Sequence, residues 1–234
     1  MYKHPLYKYP SLYNDIAIVE LGRRIEYDFG TYGDTPTCID KPGQDNVDKL
    51  ATVQGYGITE DGEVGNLLET NVTVITNDQC KEYFKHNITL NKAIKRQIDT
   101  ALPNGLNYGF LCAQGTQNKD GVFSSSCKGD SGGPLTTLSE EERQTLIGIV
   151  SGGIGCGRGI PGWYTKVSFF YPWIDCIIQT SKDTKGNVNL VNEKCDKVAQ
   201  DLVPTCLEQD DLIFGGDFDL RSEDTFQIEL CNNV

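Results

Sequence analysis

The sequence predicts an all-β fold in which short strands form a barrel or a sandwich. Segments with β-branched or alternating apolar residues recur along the chain, and glycine or Asn-Asp turns separate them. In the first, "NDIAIVEL", Ile16 and Ile18 alternate with other residues until the segment ends at Gly22. "LATVQGYG", "ETNVTVIT" and "LIGIVSGG" are three further predicted strands.

Two segments have helical rather than strand patterns. "NDQCKEYF" predicts a short helix whose N-cap is Asn77 or Asp78. "SFFYPWIDCIIQT" has apolar pairs at 169/170, 173/174 and 177/178, which is a helical spacing, and Pro172 is tolerated near a helix start.

Composition and charge exclude several classes of function. The hydrophobic content of 38% and the charged content of 23% are those of a globular protein. A net charge of −12 argues against a nucleic-acid partner. The longest aliphatic stretch, Leu146 to Val150, is too short to cross a membrane. We predict no cofactor and no metal site.

The cysteines and two glycosylation sequons indicate an oxidising, extracellular setting. The chain has nine cysteines, and an odd number leaves at least one without a partner in the chain. Asn71-Val72-Thr73 and Asn87-Ile88-Thr89 are the sequons. The first residues, "MYKHPLYKYP", lack the apolar core of a signal peptide.

The composition changes after Ser181. Residues 182–234 contain twelve acidic and five basic side chains and three of the cysteines. We interpret this region as an acidic tail that disulfides partly order, with its charge on a solvated surface.

The stretch "CKGDSGGPL" contains a serine between an aspartate and two glycines. A serine hydroxyl becomes a nucleophile only with a base to take its proton and donors to hold the oxyanion. The glycines allow a sharp turn, which would direct the N–H groups of Gly129 and Ser131 to one point.

This stretch resembles the active-site segment of chymotrypsin/trypsin-type serine proteases. The resemblance runs from about residue 4 to 180 and includes "HPLYKYPSLYNDIAIVEL", "YGFLCAQG", "IVSGGIGCG" and "PGWYTKVSFFYPWI" in the family's order. "VQGYGI" and "NDIAIVEL" are similar to a divergent, nematode-like branch.

The resemblance implies a fold and a division of the chain. The fold is the C-terminal six-stranded antiparallel barrel of a trypsin-like double barrel, with a C-terminal helix and the acidic tail. Residues 1–45 would be a remnant of the N-terminal barrel and the crossover, and residues 46–181 the C-terminal barrel and helix. Since most of the N-terminal barrel is absent, we expect the apolar face of Ile16, Ile18 and Leu21 to lack packing partners.

The resemblance also implies a role for each site residue. Ser131 would attack the scissile carbonyl, and the Gly129 and Ser131 amides would form the oxyanion hole. Asp15 would orient the histidine base, and Ser151 would support Asp15 by a hydrogen bond. Asp130 would bind the new N-terminal ammonium after activation cleavage.

By the same resemblance, Ser125 would form the floor of the specificity pocket. A neutral floor does not select Lys or Arg, which a buried carboxylate would attract. Gly153 and Gly162 would be small wall positions that admit an apolar or aromatic side chain. The family's usual tryptophan before the wall glycine is Gly152 here, and we expect Trp163 to repack the site.

The general base of the family is absent from its expected position. It should precede Asp15 by some 45 residues in an "AAHC"-like segment, but only fourteen residues precede Asp15. The two histidines are His4, which is similar to a surface-loop histidine of the family, and His86. We assign neither as the base.

The resemblance implies the disulfides Cys80–Cys112 and Cys127–Cys156. It also implies that Cys38 pairs with a missing N-terminal segment. Four cysteines then remain, with three possible connectivities between them: Cys176, Cys195, Cys206 and Cys231.

Two function hypotheses follow. The first is a secreted serine endopeptidase acting on polypeptides, of which this chain is incomplete and close to inert alone. The second is a non-catalytic, protease-like binding or regulatory protein.

Overall fold

The computed structural model describes residues 1–23, 25, 36–59, 62–139 and 143–202. Nine strands and four helices lie in these ranges. They are, in chain order, β1 Tyr2–Lys3, β2 Ala17–Ile18, β3 Cys38–Ile39, β4 Leu50–Gly55, β5 Leu68–Ile75, α1 Asn77–Leu90, α2 Lys92–Ala101, β6 Phe110–Gly115, β7 Pro134–Leu138, β8 Gln144–Gly152, β9 Gly162–Lys166, α3 Val167–Thr184 and α4 Val188–Asp201.

Six strands close into an antiparallel barrel in the order β8-β7-β4-β5-β6-β9, with β9 pairing back to β8. The predicted six-stranded barrel and its C-terminal helix are therefore confirmed. β3 adds to β8 in parallel outside the closed ring. Alternate residues of the strands point inward and fill the barrel interior, where Leu135 and Ile147 are fully buried.

Helices α1 and α2 cover one side of the barrel. The predicted short helix is longer than expected, and its N-cap is Thr76 rather than Asn77 or Asp78. Thr76 forms a capping box with Gln79, which satisfies free backbone amides at the helix start. The Cys80–Cys112 disulfide joins α1 to β6 inside the core beneath these helices.

The N-terminal segment packs on α3. β1 and β2 pair with each other, and the side chains of Tyr2 and Ile16 are buried in a core built around α3. The expectation that the apolar face of this segment lacks partners is therefore wrong for Ile16 and Ile18, while Leu21 is exposed. The reason is that α3 supplies the apolar surface that a second barrel was expected to supply.

Part of the predicted tail is helical. α4 packs against α3, with Val191, Cys195 and Ala199 fully buried, and the Cys176–Cys195 disulfide joins the two helices. Cys206 and Cys231 lie outside the described residues. None of the described helices is long and apolar enough to span a bilayer.

Cys38 is disulfide-bonded. The predicted pairing of Cys38 with a missing N-terminal segment stays a prediction.

Candidate active site

The segments that carry Ser131 and Asp15 meet at the end of β8. Next to Ser131, the Gly132 N–H donates to the Val150 carbonyl at 2.8 Å, and the Val150 N–H donates to the Gly133 carbonyl at 2.9 Å. One residue further along β8, the Ser151 hydroxyl donates to the Asp15 carboxylate at 2.9 Å. Two adjacent residues of one strand thus hold the predicted nucleophile segment and the predicted triad carboxylate.

Asp15 is fixed from β8 and from β9. Its carboxylate accepts from Ser151, and its backbone carbonyl accepts from the Thr165 hydroxyl at 2.7 Å. Burial raises the pKa of the Asp15 carboxyl, and the hydrogen bond from Ser151 partly offsets this effect. Asp15 is only half-buried, so a partner group can still reach its carboxylate.

The Ser131 loop is a sharp turn with an exposed serine. Gly129 has φ of 103° and Gly132 has φ of 84°, values that strongly favour glycine. The Asp130 N–H donates to the Cys127 carbonyl at 3.1 Å, and the Gly133 N–H donates to the Asp130 carbonyl at 2.8 Å. Within the described part of the chain, the N–H groups of Gly129 and Ser131 donate no hydrogen bond, so both are available to an incoming oxyanion.

The Asp130 carboxylate contacts the end of β4 and the turn after it. It accepts from the Gly57 N–H at 2.8 Å and from the Cys127 N–H at 2.7 Å. A side chain at Gly55 or Gly57 would collide with this carboxylate. A cavity of about 380 Å³ lies beside Asp130, and Ser125 also lines it.

The predicted pocket residues lie on both sides of the Cys127–Cys156 disulfide, which the structure contains. The Ser125 hydroxyl accepts from the Gly157 N–H at 3.0 Å. A Cβ atom at Gly153 would lie 3.8 Å from the Gly162 Cα atom, so side chains at these positions would compete for the same space.

Trp163 occupies the space next to Gly152. The two residues are paired across β8 and β9, and a Cβ atom at Gly152 would lie 2.5 Å from three atoms of the Trp163 indole. Trp163 is only 1% exposed and packs edge-on against Phe84 of α1, with ring centroids 5.6 Å apart. The indole thus fills, from the neighbouring strand, the volume that Gly152 leaves empty.

The structure corrects the interpretation of His4 as a surface-loop residue. Its side chain is 2% exposed and packs edge-on against Phe170 and Trp173 of α3. Nδ1 accepts from the Leu6 N–H at 3.4 Å, and burial lowers the pKa of His4 to about 4. His4 is therefore a neutral core residue, and its imidazole makes no hydrogen bond to Asp15. His86 lies on the exposed side of α1.

Sequence reasoning missed α2 and the contact that it makes with the site. The Gln97 side-chain amide donates to the Gly153 carbonyl at 3.4 Å. Two signals mark this helix in the sequence. Asn91 precedes it and caps it, and Ile94, Ile98 and Ala101 follow at helical spacing.

Comparison with known proteins identifies the family. The trypsin family model matches residues 1–174. CLIP domain-containing serine protease C9 of Anopheles gambiae is 31% identical over 185 residues, which are 77% of this chain and 49% of that protein. Serine proteinase stubble of Drosophila melanogaster is 34% identical over 175 residues, covering 73% and 20% of the two chains. This chain belongs to the trypsin family of serine proteases.

One relative is named as inactive. Inactive CLIP domain-containing serine protease A28 of Anopheles gambiae is 31% identical over 175 residues, which are 74% of this chain and 41% of that protein. The chain thus spans about half or less of the length of these relatives. The relatives of this chain therefore include proteins named as serine proteases and a protein named as inactive.

Proposed function

We propose that this chain carries the nucleophile half of a serine endopeptidase that cleaves polypeptides through an acyl-enzyme. The observation that carries this proposal is the convergence of the Ser131 turn and Asp15 on Val150 and Ser151. In the proposed reaction Ser131 Oγ bonds to the scissile carbonyl carbon as a histidine base takes its proton. The Gly129 and Ser131 N–H groups hold the oxyanion, and the protonated base gives its proton to the leaving amine as the scissile C–N bond breaks. Water then attacks the ester carbonyl, the base takes its proton, and the acid product leaves as the Ser131 hydroxyl is restored.

Asp15 is the proposed partner of that base. A carboxylate that is half-buried and already holds one hydrogen bond is well placed to orient an imidazole and to stabilise its cation. His4 is packed among aromatic rings and His86 lies on α1, so neither is proposed as the base. We propose that the base comes from a segment outside this sequence and that the 234-residue chain alone is close to inert. Loss of one triad member lowers turnover on the order of 10⁶-fold.

The proposed substrate has an apolar or aromatic residue before the scissile bond. Ser125 offers a neutral hydroxyl, already engaged by the Gly157 N–H, and Gly153 and Gly162 add no side chain to the walls. The Asp130 carboxylate lines the same cavity as Ser125, but the Gly57 and Cys127 N–H groups already hold it. In this proposal the neutral Ser125 hydroxyl therefore meets the substrate side chain, and a lysine or an arginine would lose hydration without a charged partner at the floor.

Asp130 is the proposed acceptor of an activation-generated N-terminus. Its carboxylate borders the cavity of about 380 Å³, which has room for an incoming chain end. In the present structure the backbone amides of Gly57 and Cys127 hold this carboxylate. An ammonium in the cavity would add a charged partner to it and fix the turn that carries the oxyanion donors.

We further propose that the protein is extracellular and glycosylated. The disulfides and the two sequons support this setting. Asn71 is exposed on β5, so a glycan there would extend into solvent.

Labelling with an organophosphonate tests the proposed function. The 234-residue chain should label no faster than its Ser131→Ala variant, since without a base the hydroxyl stays protonated. A parent protein that includes an upstream histidine segment, once activated by proteolysis, should label quickly and lose labelling on Ser131→Ala. Rapid Ser131-dependent labelling of the 234-residue chain would refute the placement of both histidines outside the site.

The alternative is a non-catalytic, protease-like binding protein. The placement of His4 and His86 and the relative named as inactive favour it. An activated parent that shows no Ser131-dependent labelling would decide for this alternative.

A further inference from the structure

The edge of β8 beyond the Ser151 position is partly covered by α2. On the edge of β8 that faces away from β9, the pairing with β7 ends at Ile149, so Ser151 and Gly153 lie beyond the last residue paired there. A peptide in extended conformation can add to such an edge through its backbone groups. At Gly153, however, the carbonyl already accepts from the Gln97 side chain at 3.4 Å.

The body of α2 is fixed relative to this edge, whereas the Gln97 side chain is not. Ile98 and Ile154 are 5% and 2% exposed and belong to one apolar cluster with Trp163, so the helix is held against the loop that follows Gly153. Gln97 itself is exposed. An exposed side chain with one long hydrogen bond can rotate away without disturbing the packing beneath it.

The position of Gly153 determines which part of a peptide is affected. In an antiparallel pair, moving two residues along one strand moves two residues back along the other. If the residue before the scissile bond lies along Ser151, next to the Ser131 turn, the residue two positions earlier in the peptide pairs with Gly153. Its N–H competes with Gln97 for one carbonyl.

We propose that Gln97 is a specificity-determining residue that lowers the affinity for peptides extending to Gly153. The proposal rests on the proposed function for the direction of the peptide. The Gln97 side chain donates a hydrogen bond to the Gly153 carbonyl in the free protein, and an extended peptide must displace this side chain. A peptide that ends before Gly153 leaves the contact intact, so Gln97 discriminates between long and short ligands.

NMR titration of the isotopically labelled 234-residue chain tests this proposal without requiring catalysis. The probes are acetyl-Ala-Ala-Ala-Phe-amide, which reaches Gly153, and acetyl-Phe-amide, which does not. Gln97→Ala should tighten binding of the tetrapeptide about two- to fivefold, the effect of removing one competing hydrogen bond. It should leave acetyl-Phe-amide unchanged. In the wild-type protein, the backbone amide signal of Gly153 and the side-chain amide signal of Gln97 should shift together on tetrapeptide binding.

Arg96→Ala is the matched control, because Arg96 is the preceding exposed residue of the same helix. It should change neither affinity. Equal tetrapeptide affinities in wild type and Gln97→Ala, weaker binding in Gln97→Ala, or no binding in either protein would overturn the proposal. The proposed hydrolase function is tested separately by Ser131-dependent labelling of the activated parent, so the two failures are distinguishable.

Discussion

Replacing Gly152 by alanine tests whether Trp163 fills the site from the neighbouring strand. The added methyl carbon would lie 2.5 Å from three indole atoms, whereas carbon atoms in contact are normally 3.5–4.0 Å apart. The indole must therefore move by about 1 Å. Because it is 1% exposed and packed against Phe84, it has no free space to move into.

The expected cost is that of overpacking a core, about 2 kcal/mol within a typical range of 1–3 kcal/mol. For a chain of this size, that cost lowers the melting temperature by about 4–8 °C. Urea unfolding with the disulfides intact measures the free energy of unfolding directly. Trp163→Phe provides the background for a second measurement, because phenylalanine lacks the fused ring that the methyl group would meet. In that background Gly152→Ala should cost less than about 0.5 kcal/mol.

Gly22→Ala is the matched control. No heavy atom lies within 4 Å of a Cβ atom at Gly22, and its backbone is not in the left-handed region. The control should be neutral or slightly stabilising, since alanine restricts the unfolded chain. A Gly152→Ala protein as stable as wild type, or one with the same cost in both Trp163 backgrounds, would refute the packing argument.

Two further changes address the charge and the specificity of the site. Ser151→Ala removes the hydrogen bond that the Asp15 carboxylate accepts from the Ser151 hydroxyl, and it should raise the pKa of Asp15 further above its unfolded value. A raised carboxyl pKa makes ionisation of Asp15 costly in the folded state. The free energy of unfolding should therefore fall by about 1.5–3 kcal/mol at pH 7. The loss should be smaller at pH 3, where Asp15 is mostly protonated in the folded and the unfolded protein. Equal losses at the two pH values in urea unfolding would contradict this. In an activated parent protein, Ser125→Asp should shift cleavage in a peptide-library assay from Phe, Tyr or Leu toward basic residues; a wild-type preference for Arg would contradict the neutral floor.

Local patterns predicted much of the barrel. β-branched and alternating segments predicted β4, β5 and β8, and apolar pairs at helical spacing predicted α3. These predictions succeed because the period of apolar residues depends on the geometry of a single element. For α1, the N-cap Thr76 lies one residue before Asn77 and two before Asp78, the predicted candidates, because the box between Thr76 and Gln79 depends on the backbone at the helix entry.

The sequence by itself determined the family, the position of Ser131 in a glycine turn and the neutral residue at Ser125. These features depend on residue type and order. Only the tertiary structure decided that Trp163 fills the space of Gly152, that Gln97 lies on the Gly153 carbonyl and that His4 is buried under α3. In each case the two partners are far apart in sequence or on different elements. Strand register and helix docking bring them together, and no local pattern records those two properties.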